Sequence, residues 1–515
     1  MSAPRPAPLP DFPEAIPWPR GGTDRGVYSS REYTDDRPEN GSSSGPTKKD
    51  RFLRKVIENG LLALLIFSPL PAASVERWSI TVIELGAIAL TLLYLFVGRT
   101  PNFNVHLKPK LKWPMAIFSA LFLFFGVQMI PLPRIIVQTI SPASLALRKL
   151  FIPNFSDPSS VPLSLVPSQT LRTGLELLSY FLIGFLVIKT VTRGRQIRKF
   201  IIGLILMGTF EAFYGFFELY RSNPHILFYK KVFSLDSVTG TFVNRNHFSG
   251  YLEMILPLAL GLVISRINLF SMPGKKWKER IAQMAAQGFA VNVFVILSIL
   301  VMSLAIFRSN SRSGVFLLAF TFFLFFTLTV YSFGVARYRQ IWIKTFLKVT
   351  IVLVTLIALY VGVDSTVRRF SQDNLLQDGR PKYWADVLNV IGDFPLLGSG
   401  LGTFPAVFSA YDNTGLDGPL VHAHNDYLEY FSELGLVGFT LLMAGLFFIA
   451  GDAFKTWAKR KNPEIKGLGL GLIVAVAVMA FHSITDFNLH IPANILLFTV
   501  VLSLAWTTAY YRKRA

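Results

Sequence analysis

Two histidines, an asparagine and three carboxylates fall within one stretch, residues 421–438 (VHAHNDYLEYFSELGLVG), at the mouth of a long apolar segment. Polar groups at a membrane surface are costly to bury, so such a cluster is a candidate active site. His422 and His424 are suited to proton transfer, because a neutral imidazole accepts a proton from a hydroxyl at ambient pH. The complementary chemistry is carried by arginine, whose planar fork donates two parallel hydrogen bonds to a phosphate or diphosphate and stays charged. Arg245 stands in GTFVNRNH (240–247), Arg312 in RSNSRSG (308–314) and Arg380 in GRPKYW (379–384). A short turn before the last apolar segment adds His482, Asp486 and His490. Two or more arginines with one histidine at bilayer level suit transfer of a group from a lipid diphosphate.

The elements that must position these residues are membrane helices. The chain has 515 residues, 52% of them hydrophobic, with 46 Phe and a mean hydropathy of +0.46. Repeated apolar runs of about 20 residues exclude a soluble multidomain protein and give about twelve spans. They read as Ile57–Pro71 (short), Trp78–Val97, Trp113–Ile130, Thr173–Val191, Phe200–Leu219, Phe248–Ile267 and Phe289–Phe307, then one after Ser313, Phe346–Val363, one running to Ala450, Gly467–Ile484 and Pro492–Tyr511. The expected fold class is therefore all-α and polytopic. The net charge of +20 does not call for nucleic acid, because the basic residues are scattered among short loops between spans. Alternate loops are the basic ones, for example Arg193/Arg195/Arg198/Lys199 and Lys455/Lys459/Arg460/Lys461, which puts the start of the chain inside. The loop from Asp364 to His424 then lies outside, with the Arg/His runs and six of the seven histidines on the same side. Residues 1–50, rich in Pro, Gly, Ser and charge, read as a disordered cytoplasmic tail and not as a signal peptide. The chain has no Cys, which excludes disulfides, thiolate metal sites and a cysteine nucleophile.

Other polar groups have plainer explanations. Asp426, Glu429 and Glu433 share a helical face and are expected to meet the arginines of the long loop or water, with a catalytic carboxylate set as the sharper alternative. His482, Asp486 and His490 have a tempting metal-ligand spacing, but Pro492 and the short loop make a continuous helix doubtful; structural polar contacts are preferred and no metal is assigned. GSGLG at 398–402 reads as a turn, since no strand precedes it. Glu84, Glu176, Glu211 and Glu253 lie within spans and would suit a proton path in a secondary transporter. No internal repeat is visible and the His/Arg groups gather at one surface, which favours an enzyme.

His424-Asn425, nine residues, Gly435, two residues and Gly438 resemble the His-Asn-x9-Gly-x-x-Gly signature of bacterial O-antigen ligases and their relatives. The SRSG turn (311–314), RPKYW…FPLLGSGLGTF (380–404) and HSITDFNLHIP (482–492) resemble the same superfamily and occur in family order. The resemblance implies a GT-C type glycosyltransferase with a large periplasmic loop, 364–424, and a metal-independent reaction without a cofactor. It divides the chain into an N-terminal transmembrane region (51–240) and a ligase-like transmembrane domain (241–511). It implies an undecaprenyl-diphosphate-linked glycan as donor, lipid A-core as acceptor, membrane lipids as surroundings, and the bacterial inner membrane with the site facing the periplasm. A polymerase using a second lipid-linked repeat unit shares these motifs, as does a group acting on protein hydroxyls. By motif, Arg312 and Arg380 hold the diphosphate and His424 activates or positions the acceptor hydroxyl. Arg245, His422 and Asn425 are further substrate-binding candidates.

Overall fold

A computed structural model describes residues 48–98, 109–153, 155, 158–266, 289–333, 348, 352, 380–413 and 420–511. The described residues are mostly helical. In chain order the helices are α1 Lys48–Phe67, α2 Arg77–Gly98, α3 Lys112–Met129, α4 Arg134–Ile140, α5 Pro142–Phe151, α6 Pro167–Thr190, α7 Gly194–Leu219, α8 Arg245–Arg266, α9 Phe289–Arg308, α10 Arg312–Phe333, α11 Arg380–Asp393, α12 Phe404–Phe408, α13 Asp426–Ala458, α14 Pro463–His482 and α15 Pro492–Tyr510. Two short antiparallel pairs, Pro131–Pro133 with Ser160–Pro162 and His225–Ile226 with Tyr229–Lys230, pin the loops after α3 and α7.

Ten of these helices, α2, α3, α6 to α10 and α13 to α15, are long and apolar enough to cross a membrane among the described residues. The chain is an all-α, multi-pass membrane protein. Helix α1 is not one of the ten: Lys48, Lys49, Asp50, Arg51, Arg54, Lys55 and Glu58 fall within its first eleven residues and leave only a short apolar run. Apart from residues 348 and 352, the expected span Phe346–Val363 lies outside the described residues, as do the tail up to residue 47 and residues 364–379. Helices α6 and α7 begin six residues before their expected starts, because Pro167 and the capping box of Arg193 with Gln196 extend the helix into polar sequence. Helix α13 runs on to Ala458, past the expected end at Ala450.

The apolar residues of α8, α14 and α15 are distributed all round, and these helices form the buried centre. Helices α8 and α14 touch backbone to backbone: a Cβ on Gly261 would strike Gly467 and Gly471 of α14. Close approach of small residues gains dispersion energy where lipid offers no hydrophobic drive. The beginning of α8 and the end of α14 are thereby fixed against one another, and both contribute to the polar cluster described next.

Candidate active site

The site begins at the start of α13. Asn425 is its N-cap, with extended backbone, and its Oδ1 accepts the N–H groups of Tyr427 at 3.0 Å and Leu428 at 3.1 Å. Its amide oxygen is therefore engaged in capping. Asp426 N–H donates to Ser483 O at 2.9 Å and so anchors α13 to the turn after α14. His424 is held at φ +47°, a left-handed conformation uncommon for a residue with a side chain and one that clusters at working sites.

His424 Nδ1 lies 3.0 Å from Asp486 Oδ1. Burial alone would raise the Asp486 pKa, but the imidazoles of His247 and His424 outweigh it and hold the carboxyl well below the usual carboxylate range. An ionised Asp486 only accepts, so Nδ1 of His424 is the donor in this bond, and in the neutral ring the lone pair is then on Nε2. His247, the third residue of α8, approaches the same carboxylate oxygen at 3.6 Å, too far for a hydrogen bond. Phe487 is the common support: His424 and His247 meet its ring edge-on at 4.7 and 4.4 Å, and His422 stacks on it at 4.1 Å.

A second network lies on the α13 side. Glu429 accepts His422 Nδ1 at 2.8 Å and Ala423 N–H at 2.8 Å. His490 Nδ1 is 2.7 Å from Asp426 and its Nε2 is 3.4 Å from Glu429. Burial opposes charge on His490, but Glu429, Asp426 and Glu433 overcome it and raise the imidazole to about 9. Glu433 instead accepts Phe404 N–H at 3.0 Å. The expectation that Asp426, Glu429 and Glu433 face loop arginines or water is thus corrected: all three are buried and matched to imidazoles or backbone. The 482/486/490 trio also separates, with His482 against Glu253 of α8 at 2.8 Å, Asp486 on His424 and His490 on Asp426. Among the described residues, no group of three or more His, Asp or Glu is arranged to hold a metal ion.

The three arginines each begin a helix and are half-buried. Arg312 opens α10, whose next residue, Ser313, receives the Thr485 hydroxyl at 3.0 Å, one residue from Asp486. Arg245 opens α8, two residues before His247. Arg380 opens α11, where Trp384 donates to Ala423 O at 2.8 Å and Tyr383 lies 6.0 Å from the His424 ring. All six expected site residues therefore belong to elements that meet around the 422–426 segment and the 483–487 turn.

The described part of the long loop is locked to α13 by a helix break. Gly435 has φ +59°, and in the gap Leu436 and Val437 donate to Pro395 O and Leu396 O, while Ser399 and Gly400 donate to Ser432 O and Glu433 O. Any Cβ at Gly435 would strike the backbone of Leu396 and Gly398. Gln128 of α3 adds hydrogen bonds to Leu397 O at 2.8 Å and Glu433 O at 3.1 Å. The 398–402 glycines form the expected turn, here docked into the break. Asp486 as the partner of His424, and Phe487 as the shared support, went unassigned in the sequence; HSITDFNLHIP pointed to the region and not to the pairing.

Residues 297–443 match a family model described as O-Antigen ligase, a segment that includes Arg312, Arg380, His422, His424 and both signature glycines. A comparison with curated proteins finds no match. Arg245 and Asp486 lie outside the matched segment but belong to the same cluster of helix ends. The match over residues 297–443 makes this part of the chain similar to O-antigen ligases and supports that superfamily.

Proposed function

We propose that the protein is a glycosyltransferase that moves a glycan from undecaprenyl diphosphate to lipid A-core at the periplasmic face of the bacterial inner membrane. The observation that carries this is the His424–Asp486 pair, placed among three helix ends that begin with arginine. His424 Nε2 takes the proton of the acceptor hydroxyl as its oxygen bonds to the anomeric carbon. The bond from that carbon to the diphosphate oxygen breaks, and its electron pair stays on the diphosphate. Arg312 and Arg380, with Arg245, stabilise the charge that develops there, in a poorly hydrated pocket where such interactions are strong. Asp486 then balances the imidazolium until its proton is released. Because arginine supplies the positive charge, turnover is expected to survive excess chelator.

Lipid-borne substrates are supported by an apolar crevice among α3, α6, α13 and α15. It is lined by Phe118, Phe122, Phe181, Leu446 and Phe498 and reaches Asp426 and Tyr430. The test is a transfer assay with donor-binding measurements on Arg312→Lys, Arg380→Lys, Arg245→Ala and His424→Ala at matched expression. The arginine changes should weaken retention of the lipid diphosphate. His424→Ala should keep donor bound and lose about 10²–10⁴-fold in rate. Near-normal transfer by His424→Ala would sink the assignment. The product separates the two family activities: glycan on lipid A-core marks a ligase, and a lengthened lipid-linked repeat marks a polymerase.

A further inference from the structure

Besides His424, one other carboxylate-backed imidazole of the site is open, and the proposed mechanism leaves it unused. Of the five histidines in the cluster, His247, His482 and His490 are nearly sealed, with side-chain exposures of 6, 0 and 11%. His422 and His424 are open to a similar degree, at 26 and 27%. Both present Nδ1 to a buried carboxylate, Glu429 for His422 and Asp486 for His424. Both rest on the ring of Phe487. The His422 ring cannot turn freely: Phe487 covers one face, and Glu429 is itself fixed by Ala423 N–H and by His490.

One transfer needs one base. The attacking hydroxyl loses a single proton, and a diphosphate departs as an anion without an acid to help it. A second imidazole of matching exposure, two residues away, is therefore placed for recognition. Sugars carry hydroxyls on neighbouring carbons, and an imidazole nitrogen beside the base meets the hydroxyl next to the one attacked. We propose that His422 is a specificity-determining residue that hydrogen-bonds this neighbouring hydroxyl. The acceptor sugar is then a vicinal diol, and His422 selects which of its two oxygens forms the glycosidic bond. This rests on His424 being the base.

The simpler role for His422 is packing on Phe487 and holding Glu429. His422→Phe keeps the stacking ring and removes the nitrogens, whereas His422→Gln restores a polar end. Full-length variants in membranes would be assayed with donor and acceptor lipids extracted from the host cells, with methylation linkage analysis of the product. For His422→Phe the acceptor KM should rise about tenfold, as for one hydrogen bond to a partly exposed group. The donor KM should stay unchanged, and the product should carry mixed linkages at adjacent positions. His422→Gln should recover most of the single linkage. A single linkage with an unchanged acceptor KM in His422→Phe would overturn the proposal. So would a fall in kcat with no change in linkage, which is the signature of a packing role. A wild-type measurement guards against misfolded variants: a terminal glycoside of the acceptor lacking the hydroxyl beside the linkage position should compete about tenfold more weakly than its parent. Equal competition would overturn the proposal as well. His424→Ala separates the layers: if it is active, the underlying mechanism falls; if it is inactive while His422→Phe behaves as wild type, only the reading of His422 falls.

Discussion

The site cluster and the far end of the helical bundle handle carboxylates in opposite ways. Away from the site they pair with long cations near the surface: Lys110 with Asp452 at 2.9 Å, Arg198 with Glu464 at 2.6 Å and Lys199 with Glu58 at 2.8 Å. Around the site itself four carboxylates are buried and pair with imidazoles: Asp486 with His424, Glu253 with His482, Glu429 with His422 and Asp426 with His490. An exposed ion pair between flexible side chains gains little and positions little. A buried imidazole–carboxylate pair has a fixed ring plane and a ring that can exchange a proton. One end therefore holds helices together, and the other holds imidazole rings in register beside arginines at helix starts.

The sharpest way to break this contrast is at Asp486. In Asp486→Asn the amide can donate to Nδ1 of His424, which moves the ring proton to Nε2 and removes the base. Transfer should fall by about 10²–10⁴-fold, with donor still bound and the protein still in the membrane. Transfer within a few-fold of wild type would mean that Asp486 is only a strut, like Asp452 at the other end. Arg312→Lys comes next. It keeps the charge and loses the planar fork, so the rate should fall by roughly 10²-fold. If lysine serves as well, Arg312 acts as a surface anchor and the two ends differ less than their geometry implies.

How much of this was legible in the sequence follows from the range of each interaction. The spans were readable because each apolar run is long enough to cross a bilayer by itself. The end of α13 was misjudged because Asp452 interrupts its apolar run. In three dimensions that carboxylate is satisfied by Lys110, Trp506 and Tyr510, and the helix continues. His424, Gly435 and Gly438 stood out through their spacing, but their physical reasons are non-local. The partner of His424 is 62 residues away, the break at Gly435 receives residues 395–400, and a Cβ at Gly438 would strike Phe124. The carboxylates on α13 shared the expected face, but the choice of histidine rather than arginine or water is made by segments up to 64 residues distant.

A smaller effect, on stability rather than rate, tests the buried pairs directly. His490 is raised from its ordinary value of 6.5 to about 9 by Glu429, Asp426 and Glu433 despite its burial. A group whose native pKa is raised contributes stability that is complete below its unfolded pKa and is lost as pH rises through the folded one. The thermal midpoint of the detergent-solubilised protein should therefore fall by several degrees between about pH 6.5 and 9. His490→Gln should flatten that slope and lower the midpoint at neutral pH. A midpoint that rises with pH over this range would show that His490 is neutral in the native state.

The smallest effect belongs to the opposite end. Arg198 and Glu464 lie 2.6 Å apart but remain 45 and 32% exposed, so water screens their attraction in both the paired and separated states. Removing one partner leaves no buried charge behind, unlike removal of His490, which would strand Asp426 beside Glu429. Arg198→Gln should thus cost no more than about 1 kcal/mol and leave transfer unchanged. The double variant with Glu464→Gln should lose about the sum of the two single changes, because the coupling between two wet groups is small. A coupling as large as that between His490 and Asp426 in the same experiment would mean that the two ends share one electrostatic logic, and that burial, not the choice of histidine, is the accident.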